Sequence, residues 1–334
     1  MTTTTPAPDG GATGAAPDST GAGRPGGTAE TRQSAVTGTG ETGERGETGE
    51  TGARRRPGLP RGLRGLSRWL ALGWIALVVA AAVVADLLPL RPYGAIVPGV
   101  GTRTAPRWAA EFLGTDAIGR SVASRVVYGA RESLLVGVGS AALAMAAGLV
   151  TGIVAGYFRR WVDAAISLVL DALLAVPALV LLLAVAAVGR RGTVTIVLGL
   201  AVVGMPSFAR LARASTLAIV DRPYVDAARV LGTGPWRILR REVLPAVLLR
   251  LSPFAFVFMA FAVVAEASLS FLGLGVPPPA PSWGGMINDG RPYLDGDPYL
   301  VFIPALCVFL TVASFTVVGD HARRRFDSRA SGLR

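Results

Sequence analysis

Residues 133–156 read SLLVGVGSAALAMAAGLVTGIVAG. The stretch carries no charge. At about 1.5 Å of rise per helical residue it is long enough to cross a hydrocarbon layer roughly 30 Å thick. Similar blocks stand on either side of it. One precedes it at residues 69–90 (WLALGWIALVVAAAVVADLLPL), and others follow at 163–188, 193–219, 251–274 and 299–319. Pro177 falls inside the third block and is placed to kink it. The pattern predicts an all-α, polytopic membrane protein with six transmembrane helices.

Composition points the same way. The chain has 334 residues, of which 51% are hydrophobic and only 16% charged, with a mean hydropathy of +0.50. Soluble domains carry about 25% charged residues. Gly137, Gly139, Gly148, Gly152 and Gly156 fall partly in small-xxx-small register, which lets helices approach closely in lipid. Packing within the chain is the reading preferred for them over contact with a solute. Asp171 and Glu266 are carboxylates within spans, and such groups invite a functional reading. A proton-coupled secondary transporter needs them paired along a pathway and commonly shows internal repeats, and no repeat is evident here.

The formal net charge is +11, carried entirely by arginine because the sequence contains no lysine. These arginines gather between the apolar blocks: Arg159 and Arg160, then the connection from Arg210 to Arg250, then Arg323, Arg324 and Arg325. Basic loops mark the cytoplasmic side. The opposite loops hold Arg190, Arg191 and Arg291. The loop at 91–132 carries Arg91, Arg103, Arg107, Arg120, Arg125 and Arg131, but long loops constrain orientation less. The expectation is a multi-pass protein of the plasma membrane with both termini cytoplasmic. The lipid bilayer is its surrounding partner, and no nucleic acid is implied. Cys307 and His321 are each the single residue of their type, too sparse for a disulfide, a metal site or thiol catalysis. No cofactor is expected.

Residues 1–65 are rich in Thr, Gly, Pro, Ala and Glu, with a near-repeat at 37–51 (TGTGETGERGETGET). So little apolar content cannot offset ordering entropy, so a disordered cytoplasmic tail is predicted. Its late apolar onset does not fit a secretory signal. Residues 66–132 would then hold the first transmembrane helix and an extracellular loop. Residues 133–320 would form the core, with a cytoplasmic loop at 221–245, and residues 321–334 a cytoplasmic tail.

That loop carries the most local information. Residues 221–250 read DRPYVDAARVLGTGPWRILRREVLPAVLLR. Tyr224 to Leu231 has helical spacing, with Val225, Ala228 and Leu231 on one face. Gly232 is placed to cap that helix. Thr233, Gly234 and Pro235 make a turn, and Trp236 opens a second short helix containing Ile238, Leu239 and Val243, interrupted at Pro245. Such a unit could seat in a groove of another protein, or lie on lipid headgroups with Arg229, Arg237, Arg240 and Arg241. The spacing alone leaves both open.

The stretch PYVDAARVLGTGPWRILRREVLP resembles the EAA loop of ABC-importer permeases. Ala227, Ala228, Gly232, Leu244 and Pro245 match at the family's spacing, Asp226 replaces its Glu, and Glu242 stands where the pattern has Ile. Two further stretches are similar to the dipeptide, oligopeptide and nickel branch of second-permease type: 113–134 (LGTDAIGRSVASRVVYGARESL) and 266–285 (EASLSFLGLGVPPPAPSWGG). In the first, Gly119, Arg120 and Ser121 replace the usual Gly-Arg-Asp. The resemblance implies a type I ABC-importer permease fold and an importer of peptides, with nickel or another small solute as the alternative. It also implies a second permease subunit, ATP-binding cassette ATPase subunits and an extracellular solute-binding protein. Asp226, Ala227, Ala228, Gly232, Leu244 and Pro245 would then form the loop that couples to the ATPases. The chain itself has no Gly-x-x-x-x-Gly-Lys-Ser/Thr motif, so it is expected to be no enzyme of its own.

Overall fold

The computed structural model describes residues 61–106 and 111–331. The tail expected at 1–65 lies outside the described residues as far as residue 60. Among the described residues the regular structure is helical, and the antiparallel bridges Ile96–Arg120 and Thr115–Ser121 stand alone.

Helix α1 spans Arg61–Val84. It starts ahead of the predicted block and stops short of its end, where Asp86 and Pro89 follow. Tyr128 and Arg131 hold the Asp86 carboxylate at 3.1 and 3.0 Å, turning the chain away from the helix axis.

Helix α2 spans Val122–Phe158 and corrects the sequence reading most. Residues 122–132, assigned above to the loop 91–132, are its first turns. Ser121 caps them, its Oγ accepting from the Ser124 N–H while donating to Glu111 at 2.7 Å. Hydropathy hid this extension because Arg125, Arg131 and Glu132 lie on it. Each is partnered: Arg125 by Asp289, Arg131 by Asp86, and Glu132 by the Thr193 hydroxyl.

The third predicted block is not one straight helix. α3 (Arg160–Ala175) and α4 (Ala178–Val188) meet at an 87° bend at Val176–Pro177. Helix α5 spans Thr193–Val220. The short helices α6 (Pro223–Val230) and α7 (Pro235–Ile238) follow. A π-helical turn, Leu239–Val243, then runs straight into α8 (Leu244–Phe271). Pro245 therefore interrupts nothing. It stands directly after the π-turn, at the second residue of α8, and the helix runs through it. Helix α9 spans Trp283–Gly290, and α10 spans Tyr299–Ser331, well past the predicted limit of 319.

The core forms where α2, α5 and α8 meet. Phe208 of α5 lies fully buried with Phe254 and Phe258 of α8 edge-on at 4.8 and 5.4 Å. The glycines of α2 explain why α2 and α5 make the most extensive contact in the fold. A Cβ added to Gly152 would lie 2.4 Å from the Ala209 carbonyl oxygen, and one at Gly148 2.4 Å from the Phe208 Cβ. This is packing within the chain, as expected from the glycine spacing. A second cluster joins α1 and α10 through Val78, Ala82 and Phe315, fastened by Trp74 Nε1 donating to Thr311 Oγ1 at 3.0 Å.

Five helical stretches among the described residues are long and apolar enough to cross a membrane: 65–84, 122–158, 193–220, 235–271 and 299–325. The sixth predicted crossing exists only if α3 and α4 act together as one broken span.

Candidate functional site

The elbow between α5 and α8 collects all six residues singled out in the sequence. Pro223 sits in the first turn of α6, where it costs no hydrogen bond. Val225 is fully buried and Ala228 packs against the core, so these two anchor the helix. Leu231, expected on the same face, is instead 84% exposed, because it lies past the last turn at the cap. Gly232 has φ of +74°. The Thr233 N–H reaches back to the Ala228 carbonyl at 3.0 Å and the Gly232 N–H to that of Arg229 at 2.9 Å. That pair of bonds is a Schellman cap, which places the left-handed residue where glycine is cheapest.

After the turn, Ile238, Leu239 and Val243 are buried, so the second arm is anchored like the first. Asp226 and Ala227 are exposed on α6, and Asp226 pairs with Arg229 at 2.9 Å. Leu244 and Pro245 are also exposed, but at the root of α8 rather than on the tip. The tip itself is apolar: Val230 is 88% exposed, Leu231 84% and Trp236 75%. Trp236 is flanked by Arg237, Arg240 and Arg241, which line an open groove of about 600 Å³ with it. Below the tip, Arg159 and Asp221 join the end of α2 to the end of α5 at 2.8 Å.

The opposite end of α8 is built differently. Glu266 is buried, accepting from the Ser270 hydroxyl at 2.7 Å and the Ser133 hydroxyl at 3.1 Å. Ser282 donates to Ser270 at 3.2 Å and caps α9 through the Gly285 N–H. Trp283 is buried, its indole N–H donating to the Val126 carbonyl at 3.0 Å. Arg125 is buried between Asp116 and Asp289, at 3.6 and 3.2 Å. Burial raises the Asp289 carboxyl above its ordinary pKa, although Arg125 and Arg120 pull the other way. Segments 113–134 and 266–285, far apart in sequence, thus pack on one another. Glu266 is taken up in a hydroxyl network that fastens three helices together.

Comparison with known proteins adds identity to this geometry. A family described as "Binding-protein-dependent transport system inner membrane component" matches residues 148–331. The chain belongs to this family. Among curated relatives, the "Glutathione transport system permease protein GsiD" of Pectobacterium atrosepticum is 37% identical over 221 residues, covering 66% of this chain and 73% of that protein. The "Di/tripeptide transport system permease protein DppC" of Pseudomonas aeruginosa is 35% identical over 231 residues, covering 68% and 76%. Among solved structures, a chain of the MetNI methionine ABC transporter in an inward-facing form aligns with a TM-score of 0.50 at 20% identity. It covers 60% of this chain and 95% of that one, a likeness of fold.

As a permease of this family, the chain is a multi-pass membrane transport component with the fold the sequence predicted. Sequence reasoning missed two features of its surface. One is the π-turn that makes α7 and α8 continuous, for which the sequence offers no local signal. The other is the ion pair between Asp171 and Arg210 at 2.6 Å, which a helical-wheel comparison of the third and fourth blocks could have suggested.

Proposed function

We propose that this permease imports peptides as one subunit of an ATP-binding-cassette transporter, with its elbow at 221–245 seated on an ATPase subunit. The observation that carries the coupling role is the tip itself. Val230, Leu231 and Trp236 are held out by a twice-anchored elbow and lack cover among the described residues. An apolar tip on a stiff support is suited to transmit displacement, since its roots in α5 and α8 move with it. Asp226, Ala227, Ala228 and Gly232 shape that tip, while Leu244 and Pro245 set the start of α8. ATP binding would close the ATPase pair, displace the elbow and switch the helices between outward- and inward-facing states.

The basic connection 210–250 and the arginines at 323–325 support a cytoplasmic position for this end, with α9 outside. A second permease, ATPase subunits and an extracellular solute-binding protein complete the assembly. The peptide reading is supported by the similarity to permeases of glutathione and di/tripeptide systems. Nickel has no such support among those relatives.

The test is uptake of a labelled dipeptide into vesicles carrying the complete assembly. ATP-dependent uptake should fall to background in the Asp226→Ala/Gly232→Pro double variant while the subunit still inserts. Intact uptake in that variant would remove the coupling role. Uptake of Ni²⁺ but of no peptide would replace the substrate.

A further inference from the structure

We propose that the adjoining cavities between the start of α2, the loop 273–282 and α9 form a preformed carboxylate-binding site, with Arg125 and Arg191 as its donors. The site stands on the cavities themselves. That a peptide solute delivers the carboxylate rests on the reading above.

Two cavities, of about 240 and 410 Å³, share Arg120, Arg125, Pro278, Asn288 and Asp289 in their walls. The larger falls within the range of small-molecule pockets, about 300–1,000 Å³. Both lie at the end of the helices opposite the elbow, where α2 and α5 begin and α8 ends. Their lining falls mostly in the connections between the long apolar stretches, at 116–120, 191 and 273–293.

The loop is stiffened against collapse into the space it encloses. Pro277, Pro278, Pro279 and Pro281 each fix their own φ angle. At one end Gly273, with φ of +77°, caps α8. Its N–H donates to the Ser270 carbonyl at 3.0 Å, and that of Leu274 to the Leu269 carbonyl at 2.9 Å. At the other end Ser282 caps α9. A cavity held open in this way asks little further ordering of the chain when a ligand enters.

Charge selects the ligand. Three guanidinium groups, Arg120, Arg125 and Arg191, stand around the cavities with two carboxylates, Asp116 and Asp289, which leaves one positive charge uncompensated among the described lining residues. Asp116 holds Arg120 at 2.7 Å and Asp289 holds Arg125 at 3.2 Å. Arg191 is exposed and forms no ion pair among the described residues. Arg125 is only 4% exposed, yet its Nη1 has no hydrogen-bond partner among the described residues. A buried charged donor left unmet calls for an acceptor, and the surplus charge calls for an anion. A guanidinium edge matches a carboxylate through two parallel hydrogen bonds. The proline walls suit a group charged at one end and apolar beyond it, as a carboxylic acid is.

Thiol labelling of the purified, complete assembly tests this, in a Cys307→Ala background that removes the single native thiol. Asn288→Cys places a thiol in the wall of both cavities. At constant ionic strength, alanyl-alanine should slow its reaction with N-ethylmaleimide severalfold, and the C-terminal amide of the same dipeptide should not. Arg191→Gln, which replaces an exposed side chain, should abolish the slowing. Arg125 stays intact because it also ties α2 to α9. Slowing by acetate would make any free carboxylate a ligand, and slowing by the dipeptide without acetate would confine the site to the solute. Unchanged rates with every carboxylate, equal slowing by acid and amide, or slowing that survives Arg191→Gln would each overturn the site. Should the assembly import no peptide while acetate still protects Asn288→Cys, the peptide reading fails and the site stands. Should import proceed with no protection, the site fails and the import reading stands.

Discussion

The two ends of α8 carry the same kinds of side chain in opposite states. At the α9 end, Trp283 is buried, its indole N–H bonded to α2, and Glu266 is enclosed by serine hydroxyls. At the elbow, Trp236 is 75% exposed and Asp226 pairs with Arg229 on its own helix. The first end buries its tryptophan and holds its carboxylate with hydroxyls from neighbouring helices. The second leaves apolar surface uncovered on a rigid support. Exposure of a large aromatic on an ordered tip marks a surface built for another molecule. The difference separates the part of the fold that stabilises the subunit from the part that communicates.

Substitutions can break that contrast. Trp283→Ala should have the largest effect, lowering stability by about 3 kcal/mol through lost burial and the lost indole bond to the Val126 carbonyl. Thermal unfolding of the detergent-solubilised subunit measures it, and a change no larger than that of Trp236→Ala would erase the distinction. Trp236→Ala should leave stability within about 0.5 kcal/mol yet weaken association with the ATPase subunits by roughly thirtyfold, as loss of a central aromatic anchor does. Co-purification titrated against ATPase concentration reads this.

Gly232→Ala comes next. Its φ of +74° costs an L-residue about 1 kcal/mol, although the space around its Cβ is open. Gly232→Asn should recover most of that loss, and ATPase activity stimulated by the binding protein is the readout. Asp226→Asn should be smallest on stability, below about 0.5 kcal/mol, since it removes one exposed pair with Arg229. A coupling defect much larger than that would show Asp226 contacting the partner directly.

Much of this was legible in the residues. Gly232 had to cap α6, because few other residues tolerate the left-handed turn, and the Schellman bonds are there. The glycines of α2 announced a close helix contact. The start of α2 was not legible, because Arg125, Arg131 and Glu132 read as loop until their partners at Asp289, Asp86 and Thr193 are seen. Those partners are distant in sequence, and no local pattern links them. The break at Pro177 was foreseen as a kink, but its sharpness depends on how α4 packs along α5.

What the sequence by itself determined is the class of protein, the approximate spans and the elbow, since each follows from local runs: apolar length, glycine position, proline position. What only the tertiary structure decided is which charges are buried, which lie open and where helices truly begin. Asp171 and Glu266 look alike in the sequence as carboxylates within apolar blocks. Glu266 is enclosed by hydroxyls from Ser133 and Ser270, whereas Asp171 lies open beside Arg210. Solvation of a charge is set by everything packed around it, and that is a property of the folded helices together.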